Sequence, residues 1–277
     1  MASNPPGKCC TVGVKHQGEE TGTQTTIDNG SLDVYIAKPT DPKPGKAILF
    51  VPDVMGISKN ANLIADQLAA NGYYTLIPDL FNKDSLSNPW RPENFNIMEW
   101  VKHGMKGDNP HTTLEVDPII VKALDYLNEQ GYKDIAAVGY CFGGKYVARF
   151  MSEEKGKRIK VGYVAHPSFV DEAELEAIKG PLSISAAETD TIFPVDKRHR
   201  SEEILAAIKV PYQINLFSGV SHGFSVRGDP NIPQEKWAKE QAFEQAVQWF
   251  NFHLDDLANH EVFNGLELEG VSSKFYV

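Results

Sequence analysis

Three cysteines in 277 residues, two of them adjacent, are too few for a disulfide framework. Neighbours such as Cys9 and Cys10 would bridge one another only with severe strain, so a reducing, cytoplasmic setting is expected. At a polar terminus both are expected to be exposed bystanders. Long apolar runs are also missing: none approaches the roughly 18 residues that a membrane span requires. Met1 to Gly13 offers a single Lys8 and no apolar stretch, which argues against a secretory signal. Asn29-Gly30-Ser31 therefore reads as a turn rather than a glycosylation acceptor. Basic tracts are absent from a chain whose net charge is -10, which argues against nucleic acid as a partner. No internal repeat and no Ser/Gly linker divides the chain.

The 42% hydrophobic content supports a sizeable core. Short β-like runs alternate with helix-like ones, which predicts an α/β fold with a mostly parallel central sheet and helices on both faces. Strands are expected at 31–37, 47–51, 73–77, 135–138, 160–165, 182–186 and 212–217. Helices are expected at 60–70, 118–129, 145–153, within 194–208, and at 234–254. The last is amphipathic, with Trp237, Phe243, Val247 and Phe250 on one stripe. Between about 80 and 113 the periodicity weakens and Trp90, Phe95 and Trp100 stand among Pro, Asn and Asp. A loop of that length inside a compact domain is often functional, and it reads as a cap over a site. The expectation is one domain with a core from about 31 to 254 and an irregular tail from about 255 to 277.

Gly139-Tyr140-Cys141-Phe142-Gly143-Gly144 follows the apolar run Ile135-Ala136-Ala137-Val138 and precedes a helix-like segment. Strand, sharp turn and helix make a nucleophile elbow, with glycines that allow a strained turn and close packing. Cysteine occupies the position that most such elbows give to serine. Ligands in open α/β sheets bind beyond the carboxyl ends of strands, and Asp53, Cys141, Asp190 and His222 all lie just past such ends. The order nucleophile, acid, histidine is that of α/β-hydrolases. A thiol attacks best as thiolate, so an imidazole that takes its proton is required, and an acid would orient that imidazole. Asp190 is the first candidate for the acid, with Glu188 and Asp196 as alternatives. Of eight histidines, His222 sits in a glycine-flanked loop after a late strand, whereas His166 suits a wall or packing role. Metal binding by Cys141, Asp190 and His222 finds no support from short-spaced ligand pairs, so no metal is expected. Oxyanion donors are expected from the backbone N–H of Phe142 and, after the 47–51 strand, of Val54.

These residues, together with Glu188-Thr189-Asp190 and Ser221-His222-Gly223-Phe224, resemble the dienelactone hydrolase family, a cysteine-using branch of the α/β-hydrolases. Cys9-Cys10, His166-Pro167-Ser168-Phe169 and Arg227-Gly228 resemble its fungal and eukaryotic members. The resemblance implies Cys141 as nucleophile, His222 as base and Asp190 as orienter. It implies hydrolysis of a lactone or activated ester through a thioester, without cofactor, in the setting of polyketide-type secondary metabolism. A glutamate that bacterial members use to activate the thiol corresponds here to Asp53, for which thiol partner, turn cap and pocket wall all compete. Arg227 lies near an arginine that grips a substrate carboxylate in those members, and Arg91 is a further candidate. Tyr140, His166, Phe224 and Trp90 complete the expected substrate-binding or thiol-tuning set. A lyase, cyclase or isomerase on a related scaffold, or a binding protein of the same fold, is the alternative. The expected partner is a small molecule, with the chain a monomer or homodimer.

Overall fold

The computed structural model describes residues 1–87 and 91–255. Eight strands form one sheet: β1 (Thr23–Ile27), β2 (Leu32–Ala37), β3 (Lys46–Val51), β4 (Tyr74–Pro78), β5 (Asp134–Tyr140), β6 (Val161–Ala165), β7 (Leu182–Thr189) and β8 (Tyr212–Ser221). Their spatial order is β1-β2-β4-β3-β5-β6-β7-β8. β1 and β2 pair antiparallel, as do β2 and β4, and every later pair is parallel. Parallel strands need crossovers, and these are carried by α1 (Lys59–Ala70), α2 (Ile97–His103) with α3 (Thr113–Glu129), α4 (Gly143–Phe150), α5 (Glu172–Glu176) and α6 (Val195–Ile208), while α7 (Phe224–Arg227) and α8 (Pro233–Asp255) follow the last strand. β4 and β6 are buried at every position because helices cover both faces, which is why they read as unbroken apolar runs.

Several elements escape pattern reading for identifiable reasons. β1 is an edge strand, exposed at four of its five positions, and so lacks an apolar face. Its hairpin to β2 turns through Asp28, Asn29 and Gly30, all at positive φ, so the sequon lies in a turn. α2 lies within the 80–113 segment and is only seven residues long, too short to show periodicity. It starts because the Asn96 side chain accepts from the N–H groups of Met98 and Glu99. Its Trp100 is buried and donates Nε1–H to the Asp84 carbonyl at 3.0 Å. α3 begins at Thr113, five residues before Pro118, because a Thr112–Glu115 capping box satisfies its first N–H groups. The expected stripe on α8 holds for Val247 and Phe250, but Trp237 is 54% exposed, with one face against Phe217. Residues 256–277, which include nearly all of the expected tail, lie outside the described residues.

β7 and β8 run further than their apolar runs. Glu188 is inside β7, and β8 continues to Ser221, with a register shift between Ala187 and Thr189. Backbone pairing carries this extension, with Ala187 and Val220 buried in a small cluster beside Phe217 and Phe224. Its result is positional: the His222 N–H donates to the Thr189 carbonyl at 3.2 Å, which joins the two loops that leave the sheet there.

Candidate active site

Because β3, β5, β6, β7 and β8 are parallel, the residues that follow them gather at one edge of the sheet: Asp53, Cys141, His166, Asp190 and His222. Cys141 takes φ 49, a left-handed conformation costly for a residue with a Cβ, and the surrounding turn over-determines it. Its N–H donates to the Ala165 carbonyl at 3.1 Å, while its own carbonyl accepts from Gly144 and Ser168. Gly143 is required there: a Cβ would collide with the Val51 carbonyl of the neighbouring strand. Among the described residues the N–H groups of Phe142 and Val54 donate to no carbonyl, and both flank the elbow.

Asp190 ties the acid half together. Its Oδ1 accepts from the N–H groups of Ile192 (2.8 Å) and Phe193 (3.0 Å), and its Oδ2 lies 2.9 Å from His222 Nδ1. Glu188 is instead exposed and accepts from the Gly219 N–H at 2.7 Å, and Asp196 lies in the first turn of α6. Burial works to lower the His222 pKa, but hydrogen bonds with Asp190 and Cys10 outweigh it and hold it at about 10. His166 packs its ring against that of His222, centroids 4.9 Å apart, and bonds through Nε2 to Ser225 Oγ at 2.8 Å. Burial, aided by the charge on His222, holds His166 well below the usual histidine range and hence neutral.

The thiol half departs from expectation. Cys10, expected to be exposed, is completely buried, with its Sγ 3.2 Å from Cys141 Sγ and 3.5 Å from His222 Nε2. The 3-10 turn Lys8–Thr11 carries it there, on a segment that lies across the strand ends. Ser3 and Asn4 bond to the loops at Val170 and Ile192, and Val12 and Val14 bond to Arg227. A side chain at Gly13 would collide with Arg227, so this strap approaches the site as closely as backbone allows. The Cys141 thiol beside it is the main reason that the Cys10 pKa is raised, since two thiols in one desolvated space resist joint ionisation. Sγ of Cys10, Sγ of Cys141 and a ring nitrogen of His222 lie within 4.8 Å of one another, a soft donor set that differs from the one considered above by exchanging Asp190 for Cys10. Ser168 Oγ, 3.5 Å from Cys141 Sγ, is a second neighbour, to which the sequence reading gave no role.

Asp53 is buried and occupied twice: Oδ1 accepts from the Met55 N–H at 2.9 Å, and Oδ2 pairs with Arg227 Nη1. Arg227 Nε donates to the Val12 carbonyl, and Nη2 is buried without a partner among the described residues. Burial pulls the Arg227 pKa down to about 10. Phe224 is buried against Phe217 and His166. Tyr140 points to the other face of the sheet from Cys141, stacks near Phe50, and lines a cavity of about 500 Å³ with His16, Ser225 and Lys239. Arg91 and Arg227 line a second cavity of about 610 Å³, beside Met55 and Ile57. Trp90 lies outside the described residues.

A mostly parallel sheet, a strained elbow behind its fifth strand and an Asp–His pair behind its last two define an α/β-hydrolase with cysteine in the place of serine. Residues 32–254 match the dienelactone hydrolase family. The chain is 46% identical to hydrolase pyvD of Aspergillus violaceofuscus, over 92% of this chain and 99% of that one. It is 45% identical to hydrolase tropI of Talaromyces stipitatus, over 92% of this chain and 100% of that one. The solved structure of a putative dienelactone hydrolase from Klebsiella pneumoniae shares the fold at a TM-score of 0.68 and 15% identity, covering 83% of this chain and 97% of that one. The chain belongs to the dienelactone hydrolase family, and it is a hydrolase that acts on a small-molecule substrate. Among the described residues no helix is long and apolar enough to cross a membrane.

Proposed function

We propose that the chain opens a lactone or activated ester through a covalent thioester on Cys141. The observation that carries this reading is the 2.9 Å contact between Asp190 and His222, set beside a cysteine held at φ 49 on the elbow. In the working complex the Cys10 thiol withdraws, taking with it one of the contacts that raise the His222 pKa, and the imidazole, now neutral, takes the Cys141 proton on Nε2. The thiolate attacks the carbonyl carbon, and the oxyanion is met by the N–H groups of Phe142 and Val54. The imidazolium returns its proton to the leaving oxygen, which in a lactone stays tethered to the acyl group. Water, deprotonated by His222, then hydrolyses the thioester and frees the open-chain acid. Asp190 holds the imidazole in the tautomer that both transfers need and favours its cation, in keeping with the raised pKa.

An acidic substrate is favoured by Arg227, whose buried Nη2 has a donor to offer beside the larger cavity. His166 and Phe224 form a wall behind the imidazole, and the described part of the 80–113 segment, with Phe81 against Phe142, forms the roof. Turnover of a panel of lactones and aryl esters in ¹⁸O-labelled water tests the reading. Solvent oxygen is expected in the product acid, and Cys141→Ala is expected to abolish turnover while the protein stays folded. Wild-type rates in the alanine variant would remove the nucleophile, and product formation without solvent oxygen would point to a lyase, cyclase or isomerase.

A further inference from the structure

We propose that Cys10 and Cys141 form a reversible disulfide under hydroperoxide, which switches the site off and pins the strap across it. The two sulfurs stand 3.2 Å apart, already in van der Waals contact, and a bond at about 2.05 Å asks for an approach of little more than ~1 Å. Cys141 is held by the elbow on every side, but Cys10 rides on a single 3-10 turn of four residues, the part able to give. Cys9 is only partly buried and adjacent to Cys10, where a bridge would be strained.

The surroundings supply the proton chemistry. The Cys141 thiolate attacks the O–O bond of hydrogen peroxide, forming a sulfenic acid and releasing hydroxide, which takes from His222 the proton that Cys141 gave up and leaves as water. Cys10 then gives its proton to His222 Nε2, 3.5 Å away, and its sulfur attacks Cys141 Sγ. The S–O bond breaks, and the departing hydroxide takes the proton back from His222 and leaves as a second water. Two thiols are oxidised by two electrons and one peroxide is reduced to two waters. A small thiol reverses the bond by exchange.

Location gives the bond its consequence. Cys10 and Cys141 are both completely buried, so a substrate reaches Cys141 only when the strap yields. A covalent tie between residues 131 positions apart would hold that strap shut. It would also stop Cys141 short of the sulfinic and sulfonic acids that thiols do not restore. The loss of activity rests on the hydrolytic role proposed for Cys141, whereas the bond itself does not, so mass and melting temperature are read separately from turnover.

The experiment exposes the reduced full chain to a several-fold molar excess of hydrogen peroxide, then measures intact mass, non-reducing peptide maps, melting temperature and turnover, before and after dithiothreitol. Wild type is expected to lose about 2 Da, to yield a peptide pair joining Cys10 to Cys141, and to melt several degrees higher. It should lose at least about nine-tenths of its turnover and regain it with dithiothreitol. Cys9→Ser should behave as wild type. Cys10→Ser should lack the cross-link and gain about 32 Da at Cys141, with inactivation that dithiothreitol does not reverse. A bond mapped to Cys9, or stable over-oxidation of Cys141 in the wild type, would overturn the proposal. So would reversible inactivation of Cys10→Ser. A mass loss and cross-link in a protein that turns over none of the esters would retain the bond and sink the hydrolytic reading instead.

Discussion

Asp53 and Asp190 stand just past the ends of two parallel strands and are built alike. Each is buried, each uses Oδ1 to accept the N–H two residues on, and each gives Oδ2 to a basic group from the 222–227 segment. They differ in that group. Asp53 meets Arg227, whose guanidinium stays charged through the working range, so the pair is a fixed strut that also anchors the strap through Val12. Asp190 meets His222, whose imidazole can gain and lose a proton, so under the proposed hydrolytic role the same geometry becomes a device for moving one. On that proposal, a strand-end carboxylate serves structure or chemistry according to the titration of its partner.

The sharpest break between the two pairs is expected in turnover. Asp190→Asn should lower kcat/KM by roughly 10² to 10⁴-fold, because the tautomer and the cation both lose their support. Asp53→Asn should cost less than about tenfold, since it touches no group that transfers a proton. Reversed magnitudes would exchange the two roles.

Stability should show the opposite ranking. Asp53→Asn strands a buried guanidinium, a change that costs about 3–5 kcal/mol in comparable pairs and lowers Tm on the order of 10 °C. Adding Arg227→Met should recover much of that loss, because the unpaired charge goes with it. The pH profile of Cys141 alkylation should be unchanged in Asp53→Asn; a shift to lower pH would make Asp53 the thiol's partner after all.

A third contrast lies in pH dependence. The His222 pKa is raised on folding from 6.5 to about 10, so the folded state holds its proton more tightly. The resulting stabilisation is fully present below about pH 6.5 and is lost as pH rises through about 10. Lys239, half-buried behind the same segment with Nζ on the Ser225 carbonyl, is pulled down from 10.5 to about 7, mainly by desolvation. Its folded state binds fewer protons, so its contribution rises with pH from about 7 to 10.5 and opposes that of His222. Melting curves between pH 6 and 10 should therefore fall more steeply in Lys239→Met than in wild type, and less steeply in Asp190→Asn. The smallest effect belongs to Glu188→Gln, which should move stability by about 0.5 kcal/mol or less and turnover by less than about threefold. A loss there to match Asp190→Asn would mean that the exposed carboxylate orients His222.

Much of this was readable in residue order because the signals are local. An apolar run, a glycine-flanked cysteine and a helix-like segment within fifteen residues locate the elbow, and alternating runs imply the parallel sheet that gathers Asp53, Asp190 and His222 at one edge. Asp190 and Glu188 are harder to tell apart in residue order, since both follow the same apolar run and only the extension of β7 to Thr189 separates them. Cys10 could not be found in this way. A short polar turn near one end carries no periodicity, and its burial comes from a strap whose partners lie at 170, 192 and 227.

What residue order alone determined, then, is the architecture and the gathering of Cys141, Asp190 and His222 at one edge of the sheet, because strand, turn and helix preferences act over a few residues and parallel strands send their ends to one side. The pairings across that side came from packing. Asp53 with Arg227 spans 174 positions and Cys10 with Cys141 spans 131, and no local preference encodes either. They exist because the folded sheet leaves one desolvated space at its edge, where a buried carboxylate requires a cation and a close-fitting strap brings a second thiol against the first.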